Sequence, residues 1–105
     1  MAVTSRAALA AVNQALVAMD ETELDSLPHG VANSSESCDL ARAFGCQVYY
    51  SAILIEADRG RRVAAAWRQP CITTKLRGDD GLPLVAVPLP EALEAYVFNR
   101  DAAAV

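Results

Sequence analysis

The residues that could bind a metal or act as nucleophiles are one histidine and three cysteines, namely His29, Cys38, Cys46 and Cys71. Three cysteines and a histidine are a genuine ligand set for structural zinc. Their spacings of nine, eight and twenty-five residues include no close CxxC or CxxH pair, which normally presents two ligands from one turn. The pattern therefore favours thiols that pack as small hydrophobes in a core, and we expect neither a metal nor a cofactor.

Catalysis by a Cys–His pair would require an exposed thiol with a lowered pKa. Cys38, near the start of a predicted helix, with His29 as its base, is the one candidate. The adjacent carboxylates Asp79 and Asp80 lie between two glycines, where aspartate favours turns over acid–base chemistry. The sequence contains no P-loop, GxGxxG, HExxH or GxSxG motif. We therefore predict that the protein is not an enzyme.

Charge is distributed unevenly along the chain. Residues 20–39 contain six acidic and no basic residues, whereas residues 59–77 contain six basic and no acidic residues. One interpretation is that these are solvated faces that neutralise each other within the fold. The other is that the basic segment is a contact surface, because Arg and Trp are enriched at interface hot spots and Arg also pairs with phosphates. The residues of this candidate surface are Arg59, Arg61, Arg62, Trp67, Arg68, Lys75 and Arg77.

The net charge of −4 and the sequence pI near 4.8 argue against general nucleic-acid binding, which typically needs a basic domain. A local basic stripe, or association of the acidic and basic segments between copies, stays compatible with this charge. The length predicts a single domain over residues 1–105. No run approaches the roughly 18 apolar residues of a membrane span, and an odd cysteine count suits a reducing compartment. We expect a cytoplasmic protein.

The N-terminal segment has the periodicity of a helix. Thr4 or Ser5 can cap a helix that begins near Arg6, and its apolar face is formed by Leu9, Val12, Leu16 and Met19. A neighbouring stripe of small residues consists of Ala8, Ala11, Ala15 and Ala18. Either the rest of the domain covers this stripe, or a second copy packs on it to form a homodimer.

Asp20 and Glu23 have the spacing of a capping box, which predicts a short helical turn that ends at the LPHG sequence of residues 27–30. The next predicted helix contains Cys38, Leu40, Ala41 and Phe44. Ser34 or Ser35 can cap it, and Gly45 can end it in the left-handed conformation. We expect Asp39 and Arg42 to pair on its exposed side.

Residues 46–57 are rich in β-branched and aromatic residues, which predicts a central strand. Either the fold covers both faces of this strand, or it covers one face and a partner covers the other. For residues 58–69 two structures compete. Asp58 can cap a helix that ends before Pro70, or residues 58–61 can form a hairpin turn that leads into a strand at residues 63–67. Three consecutive alanines favour the helix.

Residues 71–77 alternate as a strand, and GDDG at residues 78–81 predicts a turn into an antiparallel partner. Pro90 suits the first position of a last helix through about Arg100, with a core face of Leu89, Leu93, Tyr96 and Val97, before a frayed tail from Asp101. The sequence thus predicts an α+β fold. N-terminal helices pack on a roughly three-stranded sheet, with strands near residues 46–56, 71–77 and 83–87, and a C-terminal helix follows.

Three segments carry a family resemblance: LPHGV at residues 27–31, CDLARAFG at 38–45 and PLPEALEAYVFNRD at 88–101. They resemble small uncharacterised proteins of actinobacteria and their phages, which show an LPxG turn, a C-P-[LI]-A-R-A-[LF]-G-like helix and a closing LP-x2-[LV]-x2-[FY]-[VI]-x2-[FY]-D-like helix. The chain departs from this pattern at Asp39, where Pro is usual, and at residues 99–101, where Phe-Asp is usual. Because that family has no established activity, the resemblance implies a shared structural element and a phage or mobile-element accessory role, and it implies no catalytic residues.

Two functional hypotheses follow from these observations. The first is a small non-enzymatic protein-interaction module that binds a host protein or a second copy of itself. The alternative is a nucleic-acid-associated accessory protein that uses the arginine-rich residues 59–77.

Overall fold

The computed structural model describes residues 5–28, 39–49 and 51–103, which form four helices and four strands. In chain order these are α1 (Ser5–Ala18), α2 (Asp39–Phe44), β1 (Gln47–Tyr49), β2 (Ala52–Glu56), α3 (Ala57–Trp67), β3 (Ile72–Arg77), β4 (Pro83–Pro88) and α4 (Glu91–Ala103). The α+β fold class is confirmed. None of the helices in these ranges has the length and apolarity that a bilayer crossing needs.

The strands form one antiparallel sheet in the order β1-β2-β4-β3. Directly paired residues share a face of the sheet, and side chains alternate between the faces along each strand. Four buried side chains of β2 and β4 lie on the face that the helices cover, and they are Ile53, Ile55, Val85 and Val87. The opposite face, called the open face below, carries a row across all four strands that consists of Gln47, Leu54, Ala86 and Ile72.

The prediction of one strand near residues 46–56 is wrong, because this run folds back on itself as the β1–β2 hairpin. Val48 pairs with Ile53 and Tyr49 pairs with Ala52, so the chain reverses direction between β1 and β2. The reversal places Val48, Ile53 and Ile55 on the same covered face, and all three are buried. Folding back thus buries the apolar run on one side of the sheet, where a single long strand would have needed cover on both sides. The sheet has four strands, one more than predicted.

Helix α3 lies against the two central strands, β2 and β4, and α1 packs on α3 and α4. Helix α3 approaches the sheet closely at Gly60, where an added Cβ would lie 2.3 Å from Cγ2 of Val85 and 3.0 Å from Cγ2 of Ile55. Only a residue without a side chain permits this separation. The main core therefore forms between the covered face of the sheet and α3, with α1 completing it.

The predicted helical turn after Asp20 is wrong. Residues 21–28 contain no helix, and Asp20 itself adopts a left-handed conformation with φ of 60° at the end of α1. There the Glu21 amide donates to the Leu16 carbonyl oxygen at 2.8 Å, which is a Schellman end. The side chain of Asn13 then fixes the following segment, because its amide donates to the Leu24 carbonyl at 3.0 Å and its oxygen accepts from the Leu24 amide at 2.8 Å. These bonds replace the helical bonds that a capping box would have started.

The helix predicted over residues 58–69 is confirmed as α3, and the competing hairpin is wrong. Asp58 does not cap it, because the helix begins one residue earlier with Glu56 at the cap position and without a side-chain cap bond. The helix ends before Pro70 through Arg68, which is left-handed with φ of 57°. The Gln69 amide donates to the Ala64 carbonyl at 2.8 Å, so this end also has the Schellman pattern.

Helix α2 ends at Gly45 as predicted, with φ of 67° and an amide that donates to the Ala41 carbonyl at 2.9 Å. The exposed position predicted for Asp39 is wrong, because this carboxylate is only 5% exposed. It accepts a 2.5 Å hydrogen bond from the Tyr96 hydroxyl of α4, which explains its burial. The predicted caps Thr4, Ser34 and Ser35 lie outside the described residues, as do His29, Gly30 and Cys38.

The predicted β3–β4 hairpin is confirmed, since Ile72 pairs with Ala86 and Thr73 with Val85. The last helix is also confirmed, with Leu89 and Leu93 buried and Tyr96 and Val97 packed against the core. It continues through Ala103, so the frayed tail predicted from Asp101 is helical for three further residues.

Candidate functional site

The arginines of α3 are compensated by acids of the same chain. Three ion pairs join Arg59 to Glu21 at 3.2 Å, Arg62 to Asp20 at 2.9 Å and Arg61 to Asp58 at 3.3 Å. Two of these acids belong to the acidic stretch 20–39, so part of that stretch faces part of the basic segment within one fold. Exposed pairs of this kind stabilise a protein by only about 0–1 kcal/mol each. Their effect here is to remove uncompensated positive charge from α3.

Trp67 does not lie on the surface, although it was included in the predicted contact surface. The residue is 7% exposed, and its indole Nε1–H donates to the Ala11 carbonyl oxygen at 2.9 Å. Its ring meets Phe44 of α2 in a T-shaped contact, with ring centroids 5.7 Å apart. The tryptophan is therefore a core residue that joins α1, α2 and α3. The Arg–Trp combination that suggested an interface hot spot is absent from the surface.

The alanine stripe of α1 is covered by the chain itself. Ala8 and Ala15 have no exposed area, and Ala11 and Ala18 are half-buried. The hydrogen bond from Trp67 to Ala11 places this side of α1 against α3. A second copy has no access to Ala8 and Ala15.

The remaining basic residues of the predicted surface lie beyond α3. Arg68 ends that helix, and Lys75 and Arg77 belong to β3. Among the described residues no carboxylate lies within ion-pair distance of these three side chains. Arg77 instead donates to the carbonyl oxygen of Gly81 in the following turn, at 3.0 Å. The uncompensated basic charge of residues 59–77 is therefore concentrated on and beside β3.

Strand β3 is the most exposed element of the sheet. It pairs with β4 on one side only, and no helix makes extensive contact with it. Five of its six residues are exposed, including Ile72 at 48% and Leu76 at 52%. Of the five large hydrophobic side chains that are exposed in the described part of the chain, these two and Leu82 belong to the β3–β4 hairpin. An edge strand with exposed apolar side chains is a template for pairing with another strand.

The sequence predicted this strand but not its exposure. Alternation by itself does not indicate how far a strand is covered, and the covering helix α3 lies over β2 and β4 without extensive contact to β3. The available signal is composition, because ITTKLR is far less apolar than the sequences of the two central strands, AILIE and PLVAVP. Low apolarity in one strand of a sheet indicates an edge.

The thiols and carboxylates show no clustering that indicates chemistry. Cys46 is half-buried and Cys71 is exposed, at the start of β3. Within residues 5–28, 39–49 and 51–103, no three His, Cys, Asp or Glu residues are placed to hold a metal ion. A depression of about 750 Å³ beside the end of β3 is lined by charges of both signs, including Glu56, Arg59, Arg77 and Asp80. Its mixed lining selects no ligand by charge.

Comparison with protein-family models, curated proteins and solved structures finds no match to this chain. Function is therefore inferred from the geometry of the chain's own residues, above all those of β3.

Proposed function

We propose that this protein is a small non-enzymatic protein-interaction module that binds an extended segment of a partner along the outer edge of β3. One observation carries the proposal: a six-residue edge strand exposes Ile72 and Leu76 without cover from a helix or a further strand in the described part of the chain. The backbone N–H and C=O groups on the outer side of an edge strand can pair with an incoming strand. Peptide recognition by strand addition uses such an edge, with hydrogen bonds for affinity and side chains for specificity.

The charge distribution supports a protein partner over nucleic acid. The three arginines of α3 are engaged with Asp20, Glu21 and Asp58, and the whole chain carries a net charge of −4. Lys75 and Arg77 alone are a small basic surface for a phosphate backbone. Titration of duplex and single-stranded DNA at low salt tests the alternative, and retention that is lost in Lys75→Glu/Arg77→Glu would favour it.

The biological setting that we propose is an accessory role for a phage or mobile element of an actinobacterium, in the cytoplasm. Its support is the resemblance at residues 27–31, 38–45 and 88–101. Cys46 and Cys71 form no disulfide, which suits a reducing compartment.

The binding surface can be tested by selecting ligands from a displayed library of random linear peptides against the wild-type protein. Selected peptides are then measured against two double variants, Ile72→Ser/Leu76→Ser and Val17→Ser/Phe98→Ser. Val17 and Phe98 are 56% and 71% exposed on α1 and α4, so the second variant removes equally exposed apolar side chains from other surfaces. Thermal unfolding of both variants verifies that they fold.

We expect the selected peptides to lose binding to Ile72→Ser/Leu76→Ser and to keep it with Val17→Ser/Phe98→Ser. Amide hydrogen exchange should slow at the outward amides of β3 when a peptide is bound, because strand addition engages them. The Leu76 amide is not among these reporters, because it already donates to the Thr74 hydroxyl at 3.1 Å. The proposal fails when the library yields no specific ligand, or when the ligands respond to the α1/α4 variant and not to the β3 variant.

A further inference from the structure

The two faces of β3 carry different chemistry. Ile72 pairs with Ala86, which pairs with Leu54, so Ile72 ends the open-face row at the edge of the sheet. Arg77 pairs with Pro83, which lies two residues before the buried Val85. Because side chains alternate along a strand, Pro83 and Arg77 lie on the opposite face from Ile72, although the register shifts between Thr73 and Arg77. An incoming strand would meet an apolar side chain on one face and a guanidinium on the other.

Along the sequence of β3, apolar Ile72 and Leu76 alternate with basic Lys75 and Arg77. The strand contains no acidic residue. Among the described residues Lys75 and Arg77 have no carboxylate partner, in contrast to the compensated arginines of α3. The edge is therefore a local basic strip on a protein whose net charge is negative.

This charge argues against a second copy as the occupant of the edge. Antiparallel pairing of two β3 strands would bring four cations, Lys75 and Arg77 from each copy, into one narrow ribbon. Like charges on neighbouring strands destabilise their pairing, and lysine on an edge strand is a common means of preventing self-association. An acidic partner strand would be attracted to this edge instead of repelled. Its carboxylates would pair with Lys75 and Arg77, which have no carboxylate partner among the described residues.

We infer that the partner of this module is an extended acidic segment in which apolar and acidic side chains alternate. Its apolar side chains extend the open-face row beyond Ile72, and its carboxylates pair with Lys75 and Arg77. The inference rests on the proposed function, since it names the chemistry of the strand that is added to β3. Exposed ion pairs give about threefold each in affinity, so two of them give about tenfold.

The test uses three eight-residue peptides of one design, with valine alternating with glutamate, glutamine or lysine. Their dissociation constants are measured by isothermal titration against the wild-type protein and Lys75→Glu/Arg77→Glu. The matched control is Arg6→Glu/Arg61→Glu, which changes the net charge by the same amount on α1 and α3. Circular dichroism verifies that both variants remain folded.

We expect the glutamate peptide to bind the wild type about tenfold more tightly than the glutamine peptide and to lose this advantage in high salt. The Lys75→Glu/Arg77→Glu variant should reverse this preference and bind the lysine peptide most tightly. The Arg6→Glu/Arg61→Glu control should keep the preference of the wild type for the glutamate peptide. Equal binding of the glutamate and glutamine peptides overturns the acidic partner and leaves strand addition intact. Binding of none of the three, while library-selected peptides still bind β3, also overturns the inference. Failure of every peptide, selected or designed, overturns the proposed function itself.

Discussion

Replacement of Gly60 by alanine tests the packing of α3 on the sheet. In an exposed helix this change stabilises a protein by about 1 kcal/mol, because glycine is the poorer helix former. Here the new Cβ would lie 2.3 Å from Cγ2 of Val85 and 3.0 Å from Cγ2 of Ile55. Both neighbours are buried and β-branched, so neither can rotate away cheaply. Overpacking of a core costs about 1–3 kcal/mol, and this overlap belongs at the upper end.

For Gly60→Ala, about 3 kcal/mol of strain is offset by about 1 kcal/mol of better helix propensity. The free energy of unfolding should therefore fall by about 2 kcal/mol. For a domain of this size the midpoint of thermal unfolding should fall by about 10 °C. Urea denaturation followed by circular dichroism measures the free energy directly. A Gly60→Ala protein that is more stable than the wild type would refute the close approach of α3 to β4.

Two further variants separate strain from propensity. Ala65→Gly, at an exposed position of the same helix, should lose about 1 kcal/mol through propensity alone. In a Val85→Ala background the nearest obstructing methyl group is gone and Cγ2 of Ile55 remains, so the cost of Gly60→Ala should shrink. A double-mutant cycle then gives a coupling between positions 60 and 85 of about 1–3 kcal/mol. If the cycle shows no coupling, the destabilisation by Gly60→Ala does not come from the contact with Val85.

Three more predictions concern single contacts, each measured as the free energy of unfolding in urea. Trp67→Phe should lose about 1–3 kcal/mol, because the partly buried carbonyl of Ala11 loses its indole donor; an unchanged stability would contradict that bond. Tyr96→Phe should lose about 1.5–3 kcal/mol by removing the hydroxyl that donates to the buried Asp39, and a loss near zero would mean that water replaces the hydroxyl. Arg68→Gly should gain about 0.5–1 kcal/mol, because glycine adopts φ of 57° without strain, and a loss would indicate that the arginine side chain makes a stabilising contact.

The elements that could be predicted from the sequence are those that local patterns determine. The periodicity of α1, the alanines of α3, the GDDG turn of the β3–β4 hairpin and Pro90 before α4 each act over a few residues. The structure follows them closely. The α+β class could be derived from these elements without knowledge of how they pack.

The errors arise where distant residues decide the local structure. Leu24 gives its backbone bonds to Asn13, eleven residues earlier, and this choice removes the predicted helical turn. Asp39 is buried because Tyr96 reaches it from 57 residues away, whereas its local neighbours suggested an exposed ion pair. The chain reverses between β1 and β2 in a segment that contains no glycine, proline or asparagine, so the apolar run by itself predicts one strand.

The candidate surface was predictable only as a segment. Sequence composition placed the basic residues within 59–77, but the division between compensated and uncompensated side chains depends on which acids fold beside them. Asp20 and Glu21 pair with arginines of α3. Among the described residues no acid pairs with Lys75 or Arg77 of β3. The burial of Trp67 depends equally on α1, which supplies the acceptor for its indole.

Trp67 is the only tryptophan of the chain, and its position makes it an internal fluorophore. Its indole is shielded from solvent and bonded to α1, so its emission should lie at short wavelength in the folded protein and shift to longer wavelength when α1 separates from α3. The ring of Phe44 beside it makes the same signal sensitive to α2. The docking of the helical layer can thus be followed in unlabelled protein, in real time and at low concentration, by exciting one side chain.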